Sequence, residues 1–333
     1  MPRNATMNDF LPEGKINNSL LKNIIGEIKN DSTSNPRIGE DAAEISIQGK
    51  NKILVSSDPI TFDTEEIGTY LIDICSNDIY ASGGIPKWLL LTCLIPINTS
   101  FKELRESLLK VFKRAETHNI DIVGGHTEIT SSVNKIILSG TIIGTYNKNY
   151  NSNLKMTSNQ DIILGGLAGV EGSKIISSSI NDRFMDLERL SNFSKNLSLS
   201  VKDISITAVN TKKVIKMHDP TEGGIATAVH EITEFGNVGC EIIYENINFV
   251  NYFEETCKKL NLNPLGVISS GCLIIITEKQ NSNLILNEFK KNLIPSSVIG
   301  KTTNKEKGNI INKDGEKSNL KRFDQDEIIK IFK

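Results

Sequence analysis

Residues 217–228 read MHDPTEGGIATA, a stretch that predicts the start of a helix. Asp219 suits the N-cap position, the proline after it suits the first helical position, and Glu222 suits a capping role three residues after the cap. Gly223 and Gly224 follow, although each glycine in a helix costs about 1 kcal/mol relative to alanine. Two interpretations are open: the glycines are incidental to a capped helix, or they let an anion approach the free N–H groups.

Size and composition predict a globular protein with two domains. The chain has 333 residues, which exceeds the size at which a single core stops growing. Its 38% hydrophobic and 23% charged residues are typical of globular proteins. The net charge of −2 and the lack of basic patches favour neither nucleic acid nor an anionic membrane as a partner.

No segment has the pattern of a membrane span or an export signal. The longest apolar run, WLLLTCLIPI at residues 88–97, is about half the length that crosses a bilayer. No charged and then apolar segment precedes Asn17, so we expect a cytoplasmic protein. The cysteines have no CxxC spacing, which predicts neither a disulfide framework nor a zinc site: Cys75, Cys93, Cys240, Cys257 and Cys272.

The pattern of apolar residues mixes strands and helices in both halves. Residues 43–57 predict a hairpin with its turn at Asn51 and Lys52, and residues 101–118 predict a helix. The Asn- and Ser-rich residues 146–161 predict a linker. We therefore expect an α+β fold with domains at 1–149 and 150–333. The last segment, QDEIIKIFK, has helical spacing and is expected to pack as a helix.

Acidic residues stand at the ends of apolar elements in the first half. Glu40 and Asp41 precede a predicted strand, Asp58 ends the next one, and Asp78 falls on the apolar face of a predicted helix. Taken singly, Asp41 is read as a loop acid and Asp58 as a turn residue, whereas a buried Asp78 needs a partner. If Asp41, Asp58 and Asp78 converge, their repulsion requires a cation. Oxygen ligands select a hard ion such as Mg²⁺. The phosphate groups of a bound nucleotide often complete the coordination shell of Mg²⁺.

Five motifs in a fixed order resemble the aminoimidazole ribonucleotide (AIR) synthetase superfamily: GEDAAEI, SSDPITF, SNDIYASGGIPKW, VGGHTEIT and HDPTEGG. The resemblance runs from about Leu11 to the end of the chain, and within this group of ATP-using enzymes it points to the HypE-like branch. It implies a two-domain PurM-like fold with a C-terminal α/β sandwich domain. It also implies a homodimer whose N-terminal sheets pair into a barrel, with ATP and Mg²⁺ bound between domains.

The resemblance further implies roles for individual residues. Asp41, Asp58, Asp78 and Asp219 would be Mg²⁺ ligands, and Asp78 and Asp219 are also the candidates for catalysis. The nucleotide would contact Asp41, Asp58 and the following residues: Gly39, Gly124, Gly125, His126, Thr127, Thr221, Gly223 and Gly224. The VGGHTEIT segment is expected to form a Gly-rich turn.

Two departures from the family pattern leave alternatives open. Relatives often have two adjacent acids where this chain has Glu40 and Asp41, so either of these could ligate the metal. His126 stands where relatives commonly have an acid, and Glu128 is a possible substitute.

The function that the resemblance implies is ATP-dependent phosphorylation and activation of an amide or carboxylate-like oxygen, with a hydrogenase-maturation protein as a partner. A nucleotide-binding regulatory or scaffold protein of hydrogenase assembly and a small-metabolite kinase are the alternatives. HypE proteins end in a cysteine that receives a carbamoyl group, whereas this sequence ends EIIKIFK. We therefore expect the acceptor to be a separate molecule.

Overall fold

The computed structural model describes residues 40–47, 52–61, 66–180 and 185–332. Gly39 and Asn51 lie outside these residues. The described part is a mixed α/β structure with two sheets, as predicted. No helix in it is long and apolar enough to cross a membrane.

The first sheet, which we call the N-terminal sheet, has the strand order β1-β2-β5-β3-β4. Its strands are β1 (Ala43–Ser46), β2 (Lys52–Ile60), β3 (Gly84–Pro96), β4 (Asp121–Thr130) and β5 (Ile137–Tyr146). Strands β3 and β4 pair in parallel, and the other neighbours pair antiparallel. Helices α1 (Ile67–Ala81) and α2 (Phe101–His118) pack on one face.

Helix α1 forms because its apolar residues recur at helical spacing. Leu71, Cys75 and Ile79 are buried in the core between the helices and the N-terminal sheet. Helix α2 begins after Ser100, whose side chain accepts a hydrogen bond from the N–H of Glu103. These two helices leave the opposite face of the sheet without cover from the described residues.

The second sheet, which we call the C-terminal sheet, has the strand order β12-β11-β8-β10-β6-β9-β7. Its strands are β6 (Gln160–Gly166), β7 (Val214–His218), β8 (Gly239–Ile243), β9 (Cys272–Glu278), β10 (Ser296–Thr303), β11 (Asn309–Lys313) and β12 (Glu316–Asn319). The helices of this half are α3 (Val170–Ser179), α4 (Met185–Ser194), α5 (Lys202–Asn210), α6 (Gly224–Gly236), α7 (Phe253–Lys259) and α8 (Ser282–Lys291). Apolar cores lie on both faces, which explains why β6 and β9 read as continuous apolar runs.

Hydrogen bonds through Asn77 join the two halves. The Asn77 amide group donates to the carbonyl of Leu199 at 2.9 Å, and its oxygen accepts from the N–H of Val201 at 2.9 Å. The hydroxyl of Ser205 donates to the carbonyl of Tyr80 at 2.7 Å. Helix α1 is therefore fixed against the segment that leads into α5, and this contact sets the position of Asp78.

One local prediction is wrong, and another is confirmed with a different helix type. VGGHTEIT does not form a turn but lies in strand β4, where Gly125 has a φ of 148° and a Cβ would come within 1.8 Å of the Leu91 carbonyl oxygen. Glycine is required there by the approach of β3. The final segment is helical and packs with Ile328 buried, as predicted, but it is a short 3₁₀ helix, Glu327–Phe332.

Candidate functional site

The turn between β7 and α6 differs from the predicted helix start. Helix α6 begins at Gly224, and its N-cap is Gly223 and not Asp219. The N–H of Gly223 donates to a carboxylate oxygen of Asp326 at 2.7 Å. The carboxylate that accepts a hydrogen bond from this turn thus belongs to Asp326, near the end of the described chain. Asp219 does not cap helix α6.

The two glycines of this turn are required by the fold itself. Gly223 and Gly224 have φ values of 79° and 61°, in the left-handed region that favours glycine. A Cβ on Gly224 would also lie 2.5 Å from the carbonyl oxygens of Leu265 and Val267. Close backbone packing therefore explains the second glycine without any ligand.

The structure brings together the four aspartates that the sequence singled out. One ligand atom from each of Asp41, His218 and Asp219 lies within 4.8 Å of the others. The hydroxyl of Ser56 donates to Asp58 at 3.1 Å and also to Asp78. The acids come from the segment before β1, from β2, from α1 and from the end of β7, so the cluster spans both halves.

Two carboxyl groups of the acid cluster, as we call these four aspartates, are strongly perturbed by burial and by their neighbours. Burial raises the pKa of Asp78 well above its ordinary value, and Asp58, Asp219 and Asp41 raise it further. Burial also raises the pKa of Asp219 to about 7, with a further contribution from Asp41 that His218 partly offsets. A cation in the cluster would relieve both effects.

His218 and Glu231 are site residues that the sequence analysis missed. His218 Nδ1 contacts Asp41 Oδ1, and its Nε2 lies 3.1 Å from Glu231 Oε2. Burial lowers the pKa of His218, but the two carboxylates outweigh burial and raise it to about 10. The imidazolium therefore serves as a counter-ion, and its place directly before Asp219 in the chain was the available signal.

The cluster fits a hard divalent cation. Asp41 Oδ2 is buried and has no hydrogen-bond partner, so it is available as a ligand. The donors around it are carboxylate oxygens of Asp219 and its neighbours, the type that Mg²⁺ prefers. Both nitrogens of His218 contact carboxylates, which leaves neither for a metal.

Other predicted site residues lie apart from the acid cluster. Gly124, Gly125, His126 and Thr127 are exposed on β4, at the sheet edge opposite β1. His126 lies 3.5 Å from Glu128, and both side chains are more than half exposed. Thr221 lies in the turn before α6, where its carbonyl accepts from the N–H of Gly224. One chain therefore does not assemble the whole predicted nucleotide site.

Two family models match the chain. Residues 39–146 match the N-terminal domain of AIR synthase related proteins, and residues 158–313 match their C-terminal domain. The chain belongs to the AIR synthase related family. This finding confirms the resemblance drawn from the five motifs.

Two proteins with similar sequences have been given functional descriptions. It is 26% identical over 310 residues to a putative hydrogenase expression/formation protein of Methanocaldococcus jannaschii, MJ0676, covering 90% of this chain and 91% of the relative. It is 24% identical over 257 residues to the carbamoyl dehydratase HypE of Rhizobium leguminosarum bv. viciae, covering 75% and 72% of the two chains.

Solved structures show the same fold. HypE in a HypE–HypF complex superposes with a TM-score of 0.77 at 20% identity, covering 92% of this chain and all of the other. HypE in complex with ATP gives a TM-score of 0.69 at 20% identity, covering 87% and 90%. The fold of this family member is therefore PurM-like, as the resemblance implied.

The Asp41–His218–Glu231 contacts predict how stability depends on pH. Because the folded pKa of His218 is about 10 and the unfolded value is near 6.5, its stabilising effect is complete below pH 6.5. The effect is lost as the pH rises towards 10. His218→Gln should cost about 3 kcal/mol at pH 6, the scale for breaking a buried ion pair, and clearly less at pH 10. Denaturant unfolding of both proteins across this range measures the difference, and a cost that is independent of pH would contradict the assignment.

Proposed function

We propose that the chain is an ATP-dependent, Mg²⁺-requiring enzyme that transfers the γ-phosphoryl group to an amide or carboxylate-like oxygen. The observation that carries the proposal is the convergence of Asp41, Asp58, Asp78 and Asp219 beside the N-terminus of α6. A relative is described as a carbamoyl dehydratase, and a structure with the same fold contains ATP. Both descriptions agree with the chemistry that the cluster supports.

The acid cluster is suited to hold a nucleotide through its metal ion. Asp41 and Asp219 are the proposed first ligands, since they lie close together and Asp41 has a buried oxygen without a partner. Mg²⁺ bound there would neutralise charge on the phosphates. The N-terminus of α6 lies next to Asp219, and helix N-termini favour phosphate. The protein then contributes mainly by positioning the reactants, which phosphoryl transfer chiefly requires.

We also propose a twofold homodimer built on the uncovered face of the N-terminal sheet. Trp88, Leu90 and Val123 are 39%, 41% and 55% exposed, while their neighbours Leu89 and Leu91 are buried under the helices. Strands β1 and β4 are the two edges of this sheet. Pairing β4 of one copy with β1 of the other would close a barrel. It would also bring residues 124–127 of one copy towards the acid cluster of the other.

The proposed setting is hydrogenase maturation, with a protein of that process as a partner. It rests on the descriptions of MJ0676 and of the HypE–HypF complex. A kinase acting on a small metabolite would use the same acid cluster and differ only in the acceptor, because fold and nucleotide site do not determine the acceptor.

Asp78→Asn is expected to weaken binding of Mg²⁺ and a non-hydrolysable ATP analogue at least tenfold while the fold stays intact. The amide keeps the shape of the side chain but removes a charge that the metal requires. Calorimetry measures the affinity, and Asp203→Asn, at an exposed position on α5, is the control. Unchanged affinity in a folded Asp78→Asn protein would remove Asp78 from the site.

The dimer predicts a solution mass of about twice the 36.8 kDa of one chain. Leu90→Lys should yield monomers, because a lysine ammonium would be buried in the interface. Leu284 on α8 is 43% exposed, so Leu284→Lys is a control of matched exposure that should remain dimeric. Light scattering that shows a monomeric wild type at micromolar concentration would rule out the dimer.

A further inference from the structure

Asp41 occupies a less regular part of the backbone than the other acids of the cluster. It lies in a bend before β1, whereas Asp58 lies within β2, Asp78 lies within α1 and Asp219 directly follows β7. Among the described residues, the hydrogen-bond partner of its carboxylate is His218, whose Nδ1 contacts Oδ1. This contact therefore orients the Asp41 carboxylate, and it leaves the second oxygen, Oδ2, buried and without a partner.

Glu231 fixes the orientation of the His218 ring. A histidine ring that is held at one nitrogen can still turn about its Cβ–Cγ bond, because that torsion has only broad preferences. Nε2 of His218 lies 3.1 Å from Oε2 of Glu231, so both ring nitrogens are held and the plane of the ring is set. The side chains are 4% exposed for Asp41, 8% for His218 and 11% for Glu231, so water cannot easily replace either contact.

We call the contacts from Glu231 through His218 to Asp41 the relay, and its fixed end is helix α6. Apolar residues of α6 are buried in the core against the C-terminal sheet, so packing sets the position of Glu231: these are Ile225, Val229 and Ile232. The relay begins on α6, passes through the last residue of β7 and ends in the segment before β1. It therefore connects a carboxylate of the N-terminal half to the packed core of the C-terminal half.

We propose that Glu231 is a positioning residue, which acts through His218 to hold Asp41 with Oδ2 available to a divalent cation. The inference rests on the proposed function, because it concerns the metal site of that function. One ligand atom from each of Asp41, His218 and Asp219 lies within 4.8 Å of the others, and a rotation of the Asp41 carboxylate would break this arrangement. Removal of the groups that orient a metal ligand typically weakens metal binding about 10- to 100-fold.

Binding of Mn²⁺, which takes the same oxygen ligands as Mg²⁺, tests the role of Glu231 by electron paramagnetic resonance. Glu231→Leu should weaken Mn²⁺ binding about tenfold, whereas Glu231→Gln should keep most of the affinity because the amide oxygen can still accept from Nε2. Glu234→Leu, at a 44% exposed side chain on the same helix, is the control and should bind as the wild type does. Wild-type affinity in Glu231→Leu would overturn the proposal, as would equal losses in the Leu and Gln variants.

A double-mutant cycle tests whether the effect passes through His218. In a His218→Leu background, Glu231→Leu should cause no further loss of Mn²⁺ affinity, because the connection to Asp41 is already broken. Additive losses would show that Glu231 acts independently of His218 and would overturn the proposal. Denaturant unfolding of the same variants separates this pattern from a general loss of stability, which would not depend on His218 in this way.

A crystal structure of the wild type with Mn²⁺ decides if Glu231→Leu does not fold. Mn²⁺ bound by Oδ2 of Asp41, with His218 still between Asp41 and Glu231, would support the proposal. Mn²⁺ bound without Asp41, or bound by His218 itself, would overturn it. A wild type that binds neither Mn²⁺ nor a non-hydrolysable ATP analogue would remove the proposed function and this inference with it. Normal wild-type binding that Glu231→Leu leaves unchanged would remove only the role of Glu231.

Discussion

Repulsion among Asp41, Asp58, Asp78 and Asp219 is the constraint around which the two halves of the chain are arranged. Burial and the neighbouring carboxylates disfavour the ionised forms of Asp78 and Asp219, so electrostatics alone does not bring these acids together. They are held together by contacts elsewhere. The Asn77 hydrogen bonds fix α1, and with it Asp78, against the C-terminal half. His218 supplies one positive charge between Asp41 and Glu231. The contacts that stabilise the fold thus hold the four carboxylates close together, and a bound cation would reduce the repulsion among them.

The position of Asp219 depends on a contact from a distant part of the chain. Asp326 satisfies the N–H of Gly223, and Thr227 exchanges hydrogen bonds with the backbone of Phe323. These contacts fix the start of α6 without using the acid at the end of β7. An aspartate that capped the helix would have been occupied by backbone N–H groups. The arrangement leaves Asp219 directed towards the N-terminal half.

Two aspartates of the acid cluster could be predicted from their positions in the sequence. Asp78 falls on the apolar face of a helix, and Asp58 follows an apolar run, although strand β2 continues past it to Ile60. The partners of these acids were harder to find. His218 and Glu231 are 13 residues apart, and only the fold of β7 against α6 brings them together. The glycine pair at 124–125 suggested a turn, whereas pairing with β3 holds it in a strand.

We propose that the acid cluster binds nucleotide through a divalent cation, because four carboxylates would otherwise repel the phosphates. Calorimetric titration of the wild-type protein with a non-hydrolysable ATP analogue, in Mg²⁺ and then in excess EDTA, tests it most directly. We expect binding in Mg²⁺ and at least a tenfold loss of affinity in EDTA. Equal affinity under the two conditions, or no binding in Mg²⁺, would contradict it.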